Sequence, residues 1–183
     1  MGEACAMEEI QNVLRNDCNL KGVSPLMLPL PYPPIQVREK NQYYADLLTV
    51  DYCGSVSELT AILQYIHGES YLCDRQCSKA ATILGIAMAE MIHLQKLGEL
   101  ILLLGGSIDY SVRTRSGSRV WTPGYVNCVE HEADIVPVNI EGERAAIDQY
   151  EKHMRMIEDD CVNAVLARII QDEEYHIMLL KML

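Results

Sequence analysis

Glu58-Leu-Thr-Ala-Ile-Leu-Gln-Tyr65 and Glu143-Arg-Ala-Ala-Ile-Asp-Gln-Tyr150 repeat one pattern, with Glu, Ala, Ile, Gln and Tyr in register. A second pattern follows each of them. Glu90-Met-Ile-His93 stands 32 residues after Glu58, and Glu173-Glu-Tyr-His176 stands 30 after Glu143. Each half of the chain therefore offers a lone Glu on one helical segment and a Glu-x-x-His on the next. Residues i and i+3 share a helix face, about 5–6 Å apart at Cβ, so a carboxylate and an imidazole can serve one ion. In a four-helix bundle, a Glu from each of two helices and a Glu-x-x-His from each of the other two form the ligand set for two metal ions. The candidate ligands are Glu58, Glu90, His93, Glu143, Glu173 and His176. Four carboxylates against two divalent cations make a neutral site. Without metal the same carboxylates would repel one another away from water. One Glu-x-x-His arises easily by chance, but two at matched distances from a duplicated block do not.

A chain of 183 residues reads as one domain with a real core. Its 49% apolar and 22% charged residues suit a globular protein. A net charge of −11 excludes nucleic acid and an anionic membrane surface as partners. The start, Met-Gly-Glu-Ala-Cys-Ala-Met-Glu-Glu, lacks the basic and apolar stretches of a leader, so a cytoplasmic protein is expected. The longest apolar run, Leu100–Leu104, is far too short for a bilayer, so no membrane is expected. Seven scattered cysteines read as free thiols in that setting, with Cys73 and Cys77 one helical turn apart and no Cys-x-x-Cys pair.

Two regions are expected: a proline-rich arm over residues 1–40 and a bundle over 41–183. Five of the seven prolines lie between Pro25 and Pro34, which forbids helix and favours extended backbone. Leu26, Met27, Leu28, Leu30, Tyr32 and Ile35 make that stretch apolar, so it is expected to strap along the bundle or a neighbouring subunit. A short helix over Glu3–Leu14 precedes it. Apolar spacing then predicts four helices longer than twenty residues. The first runs from about Asn41 to Gly68, interrupted at Gly54, and the second from Cys73 to Leu104, stopped by Gly105-Gly106. The third runs from about Asn139 or Ile140 past His153, and the fourth from about Cys161 to Met182. The non-helical stretch 105–139 is long enough to carry the chain along the bundle, which makes helices 2 and 3 parallel.

With these residues placed, the chain resembles the ferritin-like di-metal carboxylate superfamily, in the part containing rubrerythrin, bacterioferritin and manganese catalase. The resemblance covers about residues 42–183 and leaves the arm outside. It implies an all-α, ferritin-like four-helix bundle with one long crossover between helices 2 and 3. It also implies that Glu90 and Glu173 lie between two ions about 3.5–4 Å apart. Glu58 and His93 would complete one coordination sphere, and Glu143 and His176 the other. The implied cofactor is two metal ions per chain, iron or manganese, since Glu and His suit both. Peroxide or dioxygen is the implied reactant, and the subunits are expected to form a homodimer or higher homo-oligomer.

The chain stops seven residues past His176, with no rubredoxin-like module and no short fifth helix. Electrons are therefore expected from a separate donor protein or from peroxide itself. The function expected is a di-iron or di-manganese oxidoreductase, rubrerythrin-like or manganese-catalase-like. The alternative is ferritin-like iron oxidation and storage, and a bundle merely clipped by metal is a third reading.

Tyr65 and Tyr150 follow their Glu by two turns on the same face. They are the candidate catalytic residues, as hydrogen-bond donors to ligand carboxylates or as redox-active phenols. Gln64 and Gln149 lie one position off that face and read as helix packing. Asp172 is placed to accept the outer N–H of a ligand histidine from the facing helix. His67, His131 and His153 read as surface or loop residues, and the runs Glu130–Glu132 and Glu158–Asp160 as solvated faces.

Overall fold

Asn41 starts the bundle. Its side chain accepts the N–H of Tyr44 and caps α1, Gln42–Cys53. The computed structural model describes residue 20, residues 22–114 and residues 117–183; the helix expected over Glu3–Leu14 lies outside these. After α1 come α2 (Glu58–Leu72), α3 (Cys77–Leu103), the strands β1 (Ser111–Thr114) and β2 (Gly117–Val120), α4 (Glu132–Met154) and α5 (Asp160–Leu180).

The first long helix is thus two helices of 12 and 15 residues. The break has a steric cause. Gly54 adopts extended backbone while its N–H still bonds Val50 O at 2.8 Å. A Cβ there would lie 2.5 Å from that same oxygen. Ser57 then restarts the helix by accepting the N–H of Thr60. The break makes Glu58 the first residue of α2. Gly54→Ala is expected to cost about 1–3 kcal/mol by forcing the backbone aside. Chemical denaturation of the metal-free protein would show it, and a midpoint unchanged from the parent would count against this account of the break.

The second helix ends as expected. Gly105 takes φ +94°, and the N–H of Gly106 returns to Ile101 O at 2.8 Å. The third starts earlier than expected, at Glu132, and holds Pro137 in its second turn. So close to the N-terminus a missing N–H disturbs few hydrogen bonds. The stretch before it also contains the antiparallel hairpin β1–β2, with Ser111 opposite Val120 and Thr114 opposite Gly117. This hairpin lies on α1, where Arg113 N donates to Thr49 Oγ1 at 3.0 Å.

The crossover travels along the first two helices. Trp121 Nε1 donates to Thr60 Oγ1, Asn127 N to Gln64 Oε1, and His67 Nε2 bonds Val129 O. Helix α4 then starts beside Gly68, which faces Ile135, and ends with His153 on Asp51. It therefore runs antiparallel to α1 and α2, and parallel to α3. The bundle has two main antiparallel pairs, α2 with α3 and α4 with α5. By length and composition α3 could cross a membrane; here it is a core helix carrying buried Glu90 and His93.

The core forms two apolar clusters, one around Leu48, Leu97, Leu100 and Ile169, the other around Ile83, Ile86, Ile135 and Leu180. Between them lies a polar layer. Residues 22–40 run along α3 and α5: Leu26 N bonds Gly85 O at 2.9 Å, and Arg38 N bonds Asp159 Oδ2 at 2.7 Å. Asp159, expected on a solvated face, is buried and caps α5 through Cys161 N and Val162 N. Cys53, Cys128 and Cys161 are free thiols. Cys77 is disulfide-bonded, which departs from the free thiol expected.

Candidate metal centre

Each of four helices delivers a ligand-type side chain to the polar layer. Glu58 comes from α2, Glu90 and His93 from α3, Glu143 from α4, and Glu173 and His176 from α5. All six are at most 3% exposed, a depth at which carboxylates are almost never found without a charge partner. They form two overlapping groups able to hold a cation: Glu58, Glu90, His93 and Glu173, and Glu90, Glu143, Glu173 and His176. Within each group one ligand atom per residue lies within 4.8 Å of all the others.

Glu90 and Glu173 belong to both groups. Glu90 turns Oε2 to His93 Nδ1 at 2.8 Å and Oε1 to His176 Nδ1 at 3.0 Å. Glu173 repeats this, with Oε1 at 3.3 Å from His93 Nδ1 and Oε2 at 2.9 Å from His176 Nδ1. Among the described residues, Glu90 Oε1 and Glu173 Oε2 crowd within 3.0 Å of His176 Nδ1, yet none of the three forms a hydrogen bond of good geometry, despite complete burial. Orphaned ligand atoms converging between four helices fit a metal pair, and carboxylate oxygen with imidazole nitrogen suits iron or manganese.

The charges of the metal-free site point the same way. Burial first, then the negative charges of Glu90 and Glu173, push the Glu143 carboxyl up to about 8 and Glu58 well above its ordinary range. His93 and His176 are raised well above theirs; burial opposes this, but the carboxylates around them prevail. Burial would raise Glu90 as well, yet the two imidazoles hold it well below its ordinary value. Protons thus occupy the site when metal does not.

The two tyrosines cross over. Tyr65 OH donates to Glu143 Oε1, and Tyr150 OH donates to Glu58 Oε1, each reaching the carboxylate of the other repeat. Burial, followed by that carboxylate, raises both phenols well above 10, which keeps their protons in place. The repeated Ala has a role too. Glu58, Ala61 and Tyr65 face Glu143, Ala146 and Tyr150 across a cavity of about 80 Å³. That is room for a few water-sized molecules above Glu90 and Glu173. Gln64 and Gln149 tie its sides: Gln64 Nε2 to Asn139 Oδ1 at 3.0 Å, and Gln149 Nε2 to Asp51 Oδ1 at 2.8 Å.

Outer partners orient both histidines. Asp172 Oδ2 accepts from His93 Nε2 at 3.3 Å, across the helix pair as expected. Burial would raise Asp172, but His93, Arg168 and the Leu28 N–H hold it down to about 2. Its other neighbours are Arg168 Nη1 at 2.7 Å, Leu28 N at 2.8 Å and Tyr32 OH at 3.0 Å. His176 Nε2 instead donates to the backbone carbonyl of Leu26 at 2.8 Å. A carbonyl can only accept, so Nε2 keeps its proton and Nδ1, turned to the carboxylates, is the nitrogen left to take a metal ion.

His153 corrects the sequence reading. It is buried rather than at the surface, with Nδ1 2.7 Å from Asp51 Oδ2. The two residues are 102 positions apart, and no local pattern announces such a pair. Arg168 was also missed, although its i,i+4 spacing to Asp172 is a readable signal. His67 is half-buried and His131 exposed.

No protein-family model matches the chain. A probable manganese catalase from Clostridium acetobutylicum is 29% identical over 161 residues, which cover 78% of this chain and 70% of that protein. KatB, a manganese catalase from Anabaena, aligns with a TM-score of 0.70 at 22% identity, over 83% of this chain and 75% of that one. The bacterioferritin of Rhodobacter capsulatus aligns with a TM-score of 0.63 at 21% identity, over 79% and 84%.

Proposed function

We propose that this chain, whose sequence and fold fit the ferritin-like di-metal carboxylate superfamily, decomposes hydrogen peroxide at two manganese ions. The ions would be held by Glu58, Glu90, His93, Glu143, Glu173 and His176. The observation that carries this is the doubled ligand cluster lining a small cavity between the helices. The likeness to manganese catalases favours manganese over iron. When bound, a manganese pair supplies two-electron redox chemistry, so that one peroxide is reduced to water and the next is oxidised to oxygen.

The protein's own groups bind, orient and hold protons. Glu90 and Glu173 present one oxygen to each half of the centre. Glu58 and Glu143 are each held at one oxygen by a phenol whose proton stays on the tyrosine. Ala61 and Ala146 leave the approach to the carboxylates open between α2 and α4. This fits a reactant of two heavy atoms.

The test is oxygen release from peroxide by manganese-loaded protein with no electron donor present. One oxygen per two peroxides is the expected yield. Failure to consume peroxide, together with oxidation and retention of ferrous iron in large assemblies, would favour the storage reading suggested by the bacterioferritin-like fold. Tyr65→Phe and Tyr150→Phe each remove a buried hydrogen bond to a carboxylate, about 1.5–3 kcal/mol. Each is expected to lower oxygen release about tenfold or more with manganese content unchanged. Activity equal to the parent in both variants would remove the tyrosines from the mechanism.

A further inference from the structure

The two halves of the centre differ in what stands behind their histidines. We propose that the proline-rich arm is a working part of the centre: the Leu26 carbonyl positions His176, making the His176 site the weaker of two unequal metal sites and dependent on the arm being seated. This rests on the two-metal reading above.

Three observations carry it. His93 leans on the carboxylate of Asp172, whereas His176 leans on a neutral backbone carbonyl at 2.8 Å. A carboxylate partner raises the basicity of a ligand imidazole more than a carbonyl does, so the His93 site should bind metal more tightly.

The arm is also seated closely against α3 at the level of Leu26. Leu26 N bonds Gly85 O at 2.9 Å, and Gly85 lies so close that a Cβ would meet Leu26 Cγ at 2.7 Å, Cδ1 at 2.9 Å and Ser24 O at 3.1 Å. Only glycine lets the arm lie against α3 at this level. Arg168 then holds the next turn of the strap, donating from Nη2 to Leu28 O at 2.9 Å and Leu30 O at 3.2 Å. Pro25 and Pro29 restrict the backbone on either side of Leu26–Leu28, so the carbonyl is held in a stiff segment.

Lastly, the arm touches the His93 side only indirectly. Leu28 N and Tyr32 OH bond Asp172, but Arg168 and His93, both in the bundle, bond it as well. Lifting the arm at Gly85 takes away the only outer partner of His176 found among the described residues, and leaves Asp172 paired.

The experiment is stepwise addition of manganese to the metal-free full chain, followed by calorimetry with metal content measured at each stage. The parent should show two steps, the first at least tenfold tighter. Gly85→Val should weaken the second step by about 10–100-fold and leave the first within about threefold. Asp172→Asn should do the opposite, weakening the first. Gly85→Ala, a smaller intrusion, should give the same pattern at lower amplitude and serves if the valine variant does not fold. Two equal steps in the parent, or a Gly85 variant that folds and weakens both steps alike or neither, would overturn the proposal. A parent chain that binds no manganese would instead overturn the two-metal reading itself.

Discussion

Glu90→Ala is expected to empty both metal sites at once. Glu90 is the residue whose two oxygens face the two histidines separately, at 2.8 Å and 3.0 Å. Removing it takes one ligand from each group of four and one of the four negative charges that balance two cations. The two imidazoles left behind would share fewer anions in a buried site, and desolvation then favours their neutral, unmetallated state. Manganese content should fall from two per chain to well below one, with donor-free oxygen release down by at least a thousandfold. Glu173→Ala should behave the same way. Glu58→Ala and Glu143→Ala, each belonging to one group only, should lose one ion apiece. Circular dichroism separates loss of metal from loss of fold. Two ions retained per chain after Glu90→Ala would sink the assignment of Glu90 as a shared ligand.

Metal-free protein should lose stability as pH rises, and metal should abolish the trend. Glu58, Glu143, His93 and His176 all have folded pKa values above their ordinary ones of 4.5 and 6.5. Each therefore contributes stability that is present below its unfolded pKa and is lost as pH rises through the folded value. For Glu143, pushed up to about 8, the loss is on the order of 4 kcal/mol between mildly acid and alkaline pH. Asp51, raised by burial against its bonds to His153 and Gln149, has the same sign. Glu90 and Asp172 are depressed, so their contributions disappear only in acid. The metal-free melting temperature should accordingly peak near pH 5–6 and fall by about 10 °C by pH 9. With manganese bound the ligands give up their protons, and affinity rises with pH, so the loaded protein should show a flat or rising profile. Thermal scans in chelator and in manganese, across that range, make the comparison. A metal-free midpoint that climbs with pH would refute the charge scheme.

The duplicated blocks were legible because their information is local. Spacing of i, i+3 and i+7 along one helix puts Glu90 beside His93 and Tyr65 two turns from Glu58, whatever the rest of the chain does. The length of the stretch between α3 and α4 likewise demanded a crossover, and the parallel course of those helices follows from it. Boundaries were less legible. Helix α4 reaches back to Glu132 because an early proline disturbs little near a helix start, and a hairpin occupies part of the crossover. The interruption at Gly54 was readable, but that it separates two helices depends on how close the Val50 carbonyl comes.

From the sequence alone came the bundle, the crossover and the six residues that meet at its centre, since periodicity and side-chain chemistry are written in the order of residues. Tertiary structure alone decided which tyrosine meets which glutamate, that His153 is buried against Asp51, and that a backbone carbonyl at Leu26 stands behind His176. The physical reason is the same for all three. These contacts join groups 78 to 150 positions apart, and in the last the accepting atom is one that every residue carries, so no residue type could mark it in advance.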